Sequence, residues 1–274
     1  MLRAVILGLA VLTVIGSGST AERPIAIMYA FDAEGAALES RMAVDSVVSH
    51  LGRRITHGQL EGHTVILAES GIGMINAALT TQLLIDRYNP GAVLFSGIAG
   101  GIDSSVAIGD IVVCSLWVPH EYGYWGKEGL ELQGTEVWVP SQDSVVELGA
   151  FPVDGGLYAI AGDLSDDSLT FEPVGGRIPR LAVGGTGTSG NSFIDSEEKR
   201  LWLSRETGAL VVDMESAAVV QVCGVNGVAC LVFRSASDLA GGSGSETARE
   251  QIREFFKVAA ANSSAVVVAY LRKL

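Results

Sequence analysis

Two apolar runs in the C-terminal half of the chain end in acids. Val211-Val212-Asp213-Met214-Glu215 and Val232-Phe233-Arg234-Ser235-Ala236-Ser237-Asp238 both begin with β-branched or aromatic residues and finish in carboxylates. That is the pattern of a buried strand whose C-terminal end delivers charge to a crevice, the edge where open α/β sheets bind ligands. A buried carboxylate is expensive unless it is paired or at work on a ligand. Arg234, a cation closing an apolar strand, calls for a carboxylate partner. Near the N-terminus Glu34 follows another apolar run, Ile25-Ala26-Ile27-Met28, with Asp32 and Glu39 as rival acids close by. Each acid also has an ordinary structural use. Asp238 could cap a loop or helix, Glu215 could offset a helix dipole, and Glu34 could be a solvated residue in a first helical turn.

The elements that must position these residues follow from periodicity. Residues 24–30 read as a first strand and 33–51 as a helix with Leu38, Met42, Val47 and Leu51 on one face. Residues 54–60 and 63–68 read as a hairpin around Glu61-Gly62, a turn in which Gly supplies positive φ. A helix over 74–88 is stopped by Asn89-Pro90, and a short buried strand over 92–96 runs into Gly97-Ile98-Ala99-Gly100-Gly101. That glycine run lacks both the dinucleotide spacing and the Lys-Ser/Thr ending of a phosphate loop, so it reads as a close backbone approach. Residues 117–187 carry three of the four Trp residues and no sustained helical period, and read as extra strands and loops. Beyond them come a helix over 196–207, a strand over 209–214, a helix over 215–226, a strand over 228–235 and a long helix over 247–274. Strands alternating with helices, with glycines at the turns, indicate an α/β sheet covered on both faces.

The chain has 274 residues, 48% hydrophobic and 18% charged, enough for one large core. Its net charge of -13 argues against a nucleic-acid surface, which needs clustered Lys and Arg. Met1-Leu2-Arg3, an apolar run from Ala4 to Ile15 and a small-residue stretch ending at Ala21 have the three-part layout of a secretory signal peptide. The expectation is an exported protein starting near Glu22, with no stable membrane anchor after cleavage, because the apolar run is shorter than the roughly 20 residues that span a bilayer. Cys114, Cys223 and Cys230 are odd in number and lie in apolar surroundings, where thiols pack as small hydrophobes. The four His residues are scattered, and no metal-binding spacing exists.

Met214-Glu215-Ser216-Ala217-Ala218 and Arg234-Ser235-Ala236-Ser237-Asp238 resemble the signature segments of the nucleoside phosphorylase/nucleosidase superfamily, especially its 5'-methylthioadenosine/S-adenosylhomocysteine nucleosidases. Further similar segments lie in order along the chain: Ile25 to Glu34, Glu69-Ser70-Gly71-Ile72-Gly73, Gly97 to Gly101, Gly109-Asp110-Ile111-Val112-Val113, and Ser189-Gly190-Asn191-Ser192-Phe193-Ile194. The resemblance implies a single-domain α/β fold over residues 22–274, three layers α/β/α around a mixed, largely parallel sheet. It implies a homodimer, a small nucleoside as substrate and no cofactor. Breaking an N-glycosidic bond builds positive charge on ribose and negative charge on the purine, so it needs an acid at the base, an activated water and anchors on the sugar. By resemblance, Asp238 protonates purine N7, Glu34 activates water and Arg234 stands beside that water. Glu215 with Met214 holds the ribose, Phe193 stacks on the base, and Ile194, Ile98 and Ser237 complete the site. Ile98 departs from many nucleosidases, which carry a hydroxyl residue there.

The reading is hydrolysis of 5'-thio-substituted adenine nucleosides, methylthioadenosine or adenosylhomocysteine, with release of adenine. A purine nucleoside phosphorylase, a nucleosidase of other purine specificity and a non-catalytic periplasmic nucleoside-binding protein are the alternatives. Binding alone would not call for Glu34, Glu215 and Asp238 together.

Overall fold

The computed structural model describes residues 23–139, 143–164 and 169–274; the signal peptide expected at 1–21 lies outside them. From the N-terminal side run β1 (Ile25–Tyr29), α1 (Asp32–Glu39), β2 (Ala43–His50), β3 (Arg53–Leu60), β4 (His63–Glu69), α2 (Met74–Tyr88) and β5 (Ala92–Gly101). Short strands follow: β6 (Ile111–Val113), β7 (Leu116–Pro119), β8 (Gly123–Gly126), β9 (Gly129–Leu132), β10 (Thr135–Val139), β11 (Ser144–Leu148) and β12 (Phe151–Pro152). Then come α3 (Gly155–Gly162), β13 (Leu181–Val183), β14 (Thr186–Ser189), α4 (Glu197–Thr207), β15 (Ala209–Asp213), α5 (Ser216–Asn226), β16 (Ala229–Asp238) and α6 (Ala248–Leu271).

One mixed sheet carries the order β12-β7-β14-β15-β5-β1-β4-β3-β2, with β16 paired to both β5 and β6. Its middle is parallel: β1 lies between β4 and β5, and β16 runs beside β5 from Ala229 opposite Ala92 to Asp238 opposite Gly100. Strands buried on both faces read as continuous apolar runs, and β1, β5 and nearly all of β16 are buried. Helices α1 and α6 pack together on one side, and α2 packs on α5 on the other, giving three α/β/α layers.

Two expectations need correction. The helix expected over 33–51 ends at Glu39, and Ala43–His50 is strand β2, paired antiparallel with β3 at the sheet edge. Leu38 and Met42 are buried as the helical face required, but Val47 and Leu51 are 45% and 69% exposed. The β-branched and short polar residues of Val44-Asp45-Ser46-Val47-Val48-Ser49 favour a pleated strand over helix, and the turn at Leu51-Gly52 joins it to β3 with positive φ at both residues. The second correction lies in residues 117–187, which contain helix α3 as well as strands. Asp154 starts that helix by accepting from the Leu157 N–H at 2.8 Å. The segment is no appendage, because β7 pairs with both β12 and β14 in the main sheet. Gly62 has the expected positive φ, and Glu61 before it has one too. Cys114, Cys223 and Cys230 are free and buried.

Candidate active site

Glu34 enters the core from the first turn of α1. Its side chain is 1% exposed; Oε2 accepts from the Ala30 N–H at 2.6 Å and Oε1 from the Ile98 N–H at 2.8 Å. Burial pushes its carboxyl up from the ordinary value, against the pull of Arg234 and those two donors. The group is therefore held in place yet has a raised affinity for a proton.

Arg234, fully buried on β16, stacks over the Phe95 ring at 4.0 Å and gathers three acids. Its Nε donates to Asp213 Oδ2 at 2.7 Å, Nη2 lies 3.4 Å from Glu215 Oε2, and Nη1 lies 3.8 Å from Glu34 Oε1. Nη1 has no hydrogen-bond partner among the described residues. One cation is thus shared among three buried acids. Burial pushes Glu215 up as well, with Arg234 opposing and Asp213 and Glu34 adding to the rise.

Asp213 is the fixed point of this group. It accepts from Ser189 Oγ at 2.5 Å and from the Glu215 and Ser216 N–H groups, and pairs with the Ser216 hydroxyl. It thus satisfies the first free N–H of α5, while Ser189 Oγ accepts from the next, the Ala217 N–H, at 2.9 Å. Glu215, although it occupies the N-cap position, makes no cap; its Oε1 crosses to the Gly73 N–H ahead of α2 at 2.8 Å. Helix-dipole compensation was the ordinary use foreseen for Glu215, and Asp213 supplies the cap instead.

Asp238 is the last residue of β16, three residues beyond the strand end expected at Ser235. It accepts from Ser237 Oγ and from the Ala240 N–H, each at 2.9 Å. Burial pushes its carboxyl up to about 6 despite those donors. The glycine run, expected to bring the backbone close to a ribose, makes close approaches to the charged side chains of the site. A methyl group on Gly97 would collide with the Arg234 guanidinium and sit 2.5 Å from Glu34 Oε1, and one on Gly100 would sit 2.9 Å from Asp238 Oδ1.

A cavity of about 150 Å³ opens over these residues. Glu34, Ile98, Phe193, Ile194, Met214, Glu215, Ser237 and Asp238 all line it, and Arg234 stands behind Glu34 and Glu215. Phe193 is 41% exposed, an aromatic face open to a ligand and not a core residue. Sequence reasoning missed Phe31, Ile72 and Ile252 in the wall. Phe31 and Ile252 belong, with Phe256, Ala259 and Ala260, to a small apolar cluster around Ile98. Their signal was weak: three apolar residues from three distant segments share no spacing. The arrangement provides a proton donor near 6, a second buried carboxyl held by backbone donors, and an apolar wall between them. Among the described residues no group of three His, Cys, Asp or Glu side chains is disposed to hold a metal ion.

The model of the phosphorylase superfamily matches residues 24–272. The chain belongs to that superfamily. It is 31% identical over 254 residues to the 5'-methylthioadenosine/S-adenosylhomocysteine nucleosidase of Tolumonas auensis, covering 91% of this chain and 99% of the relative. The solved nucleosidase of the same description from Colwellia psychrerythraea, in complex with adenine, superposes with a TM-score of 0.74 at 30% identity, over 92% of this chain and 96% of that one. Futalosine hydrolase of Helicobacter pylori has a TM-score of 0.75 at 26% identity, over 92% and 98% of the two chains. The chain is an enzyme, an N-glycosyl hydrolase of the purine nucleosidase kind.

Proposed function

We propose that this nucleosidase hydrolyses adenine nucleosides bearing a 5'-thio substituent, methylthioadenosine or adenosylhomocysteine, and releases adenine. The observation that carries the reading is the meeting of Asp238, Glu34 and Glu215, all buried, at one apolar cavity. Asp238 donates its proton to purine N7 as the bond from C1' to N9 breaks, and the electron pair of that bond goes to the base. Glu34 takes a proton from water as the water oxygen bonds to C1'. Glu215 accepts from the ribose hydroxyls and steadies the cationic sugar. Phe193 stacks on the purine, and Phe31, Ile72, Ile98 and Ile252 suit an apolar 5' group.

Water is the nucleophile in this reading. With Glu34 ionised, as it must be to take a proton from water, an anion about 4 Å from it would be repelled by roughly 4 kcal/mol at an effective dielectric of 20. Incubation with methylthioadenosine in phosphate-free buffer, followed by chromatography, should give adenine and the free thio-sugar. A strict phosphate requirement with a sugar 1-phosphate product would establish a phosphorylase instead, and binding without any base release would establish the non-catalytic alternative. Preference for another purine nucleoside in a substrate panel would move the enzyme toward relatives such as futalosine hydrolase.

A further inference from the structure

The segment between β14 and Phe193 is tied down at every residue. The Gly190 N–H donates to the Asp213 carbonyl at 3.2 Å. The Asn191 N–H donates to Glu121 Oε2 at 2.7 Å and the Ser192 hydroxyl to Glu121 Oε1 at 2.8 Å. On its other side Asn191 Oδ1 accepts from the Met74 N–H at the start of α2, at 3.1 Å. The adjacent Gly73 N–H is the one that holds Glu215. Beneath the segment lies the His120 ring, fully buried, so close that a methyl group on Gly190 would collide with it. Burial holds that imidazole below its ordinary pKa, so it packs as a neutral floor.

We propose that Glu121 is a positioning residue that latches residues 190–192, so that Phe193 and Ile194 present a fixed wall to the purine. The proposal rests on the purine site inferred above and gives a role to the stretch just after β7. One carboxylate holds two consecutive residues, Oε2 accepting from the Asn191 N–H and, at 3.4 Å, from its side-chain amide, and Oε1 from the Ser192 hydroxyl, which fixes the strap in position and in orientation. Partial burial works against the charge on Glu121, but the Asn191 and Ser192 donors outweigh it and hold the carboxyl below the usual range. The strap is also the mechanical link between the two halves of the ligand site: it joins the base wall, through Asn191 and the start of α2, to the backbone that holds Glu215.

The test compares wild type with Glu121→Ala and Glu121→Gln, by hydrogen exchange across residues 189–194 and by kinetics with methylthioadenosine. Alanine should speed exchange at the Asn191 amide and raise both KM and the dissociation constant of adenine about tenfold, the scale of a lost hydrogen bond to a charged group, with kcat changed by less than about twofold. Glutamine keeps one acceptor oxygen and should recover part of the affinity. Unchanged exchange and unchanged KM in both variants would overturn the latch, as would a fall in kcat with KM untouched. Failure of the wild type to release base would sink the proposed function alone, because exchange at Asn191 still reports on the latch.

Discussion

Asp238 shows how a site residue can be set against the stability of its own protein. Its ordinary pKa of 3.8 rises to about 6 in the fold, so between those values the folded state binds the proton more tightly than the unfolded chain. Stability from this group is therefore full below pH 4 and falls as pH rises toward 6. With each pKa unit equivalent to about 1.4 kcal/mol, the ionised residue costs the enzyme on the order of 2–3 kcal/mol at neutral pH. Asp238→Asn removes that cost along with the transferable proton. The variant should lose about 100- to 10,000-fold in kcat, while its melting temperature relative to wild type climbs between pH 4 and 7. Thermal melts across that range check the second half; a difference that stays flat with pH would show that the carboxyl is not held in its protonated form. At this scale the sequence was informative where a residue type was out of place, as with Arg234 at the end of an apolar strand. It did not reveal how Asp213 supports the site, because nothing in the order Val-Val-Asp-Met-Glu tells which of two acids caps the helix and which crosses to Gly73.

At the scale of elements, the site exists because β5 and β16 lie parallel and in close register. Arg234 stands opposite Gly97 and Asp238 opposite Gly100, so each large polar residue of β16 faces a residue of β5 with no side chain to obstruct it. Gly97→Ala should therefore disrupt the Arg234–Glu34 pair and lower stability by about 1–3 kcal/mol, the usual scale of overpacking, with most activity lost. Gly149→Ala is the control, since a methyl group there meets nothing. Equal melting temperatures and activities for the two variants would refute the close-approach argument. This pairing was only half legible. Strand identity could be read from apolar runs, but both β5 and β16 continue past the glycines and serines where the apolar pattern stops, because their pairing with each other and with β6 and β15 holds them extended. The same limit explains β2, where Leu38 and Met42 suggested a helix that pairing with β3 overrides.

For the whole molecule, the export expectation concerns residues 1–21 and is checked by the N-terminus of protein taken from its native cell, expected near Glu22; an intact Met1 on soluble intracellular protein would overturn it. The assembly can be argued further. Ile72, Ile75 and Leu79 are 53%, 78% and 49% exposed, and their spacing of three and four residues places them on one side of α2 and its approach. Ile72 also lines the cavity, so this apolar stripe begins at the mouth of the site. Exposed contiguous apolar surface of that kind marks an association surface more often than idle surface, and most homo-oligomers are two-fold dimers that use one patch twice. By resemblance to the nucleosidases we expect a homodimer, and by this placement we expect the stripe to lie in its interface, where the partner would narrow the open side of the cavity next to the 5' group. Ile75 points the test, because it is the most exposed of the three and is not part of the cavity lining. Sedimentation at micromolar concentration should give a dimer for the wild type and a monomer for Ile75→Asp. The monomer should bind adenine nearly as well but lose its preference for 5'-thio-substituted nucleosides, since adenine itself has no 5' group to feel the partner. A wild-type monomer, or a dimer indifferent to Ile75→Asp, would remove the stripe from the interface and leave the open side of the cavity facing solvent.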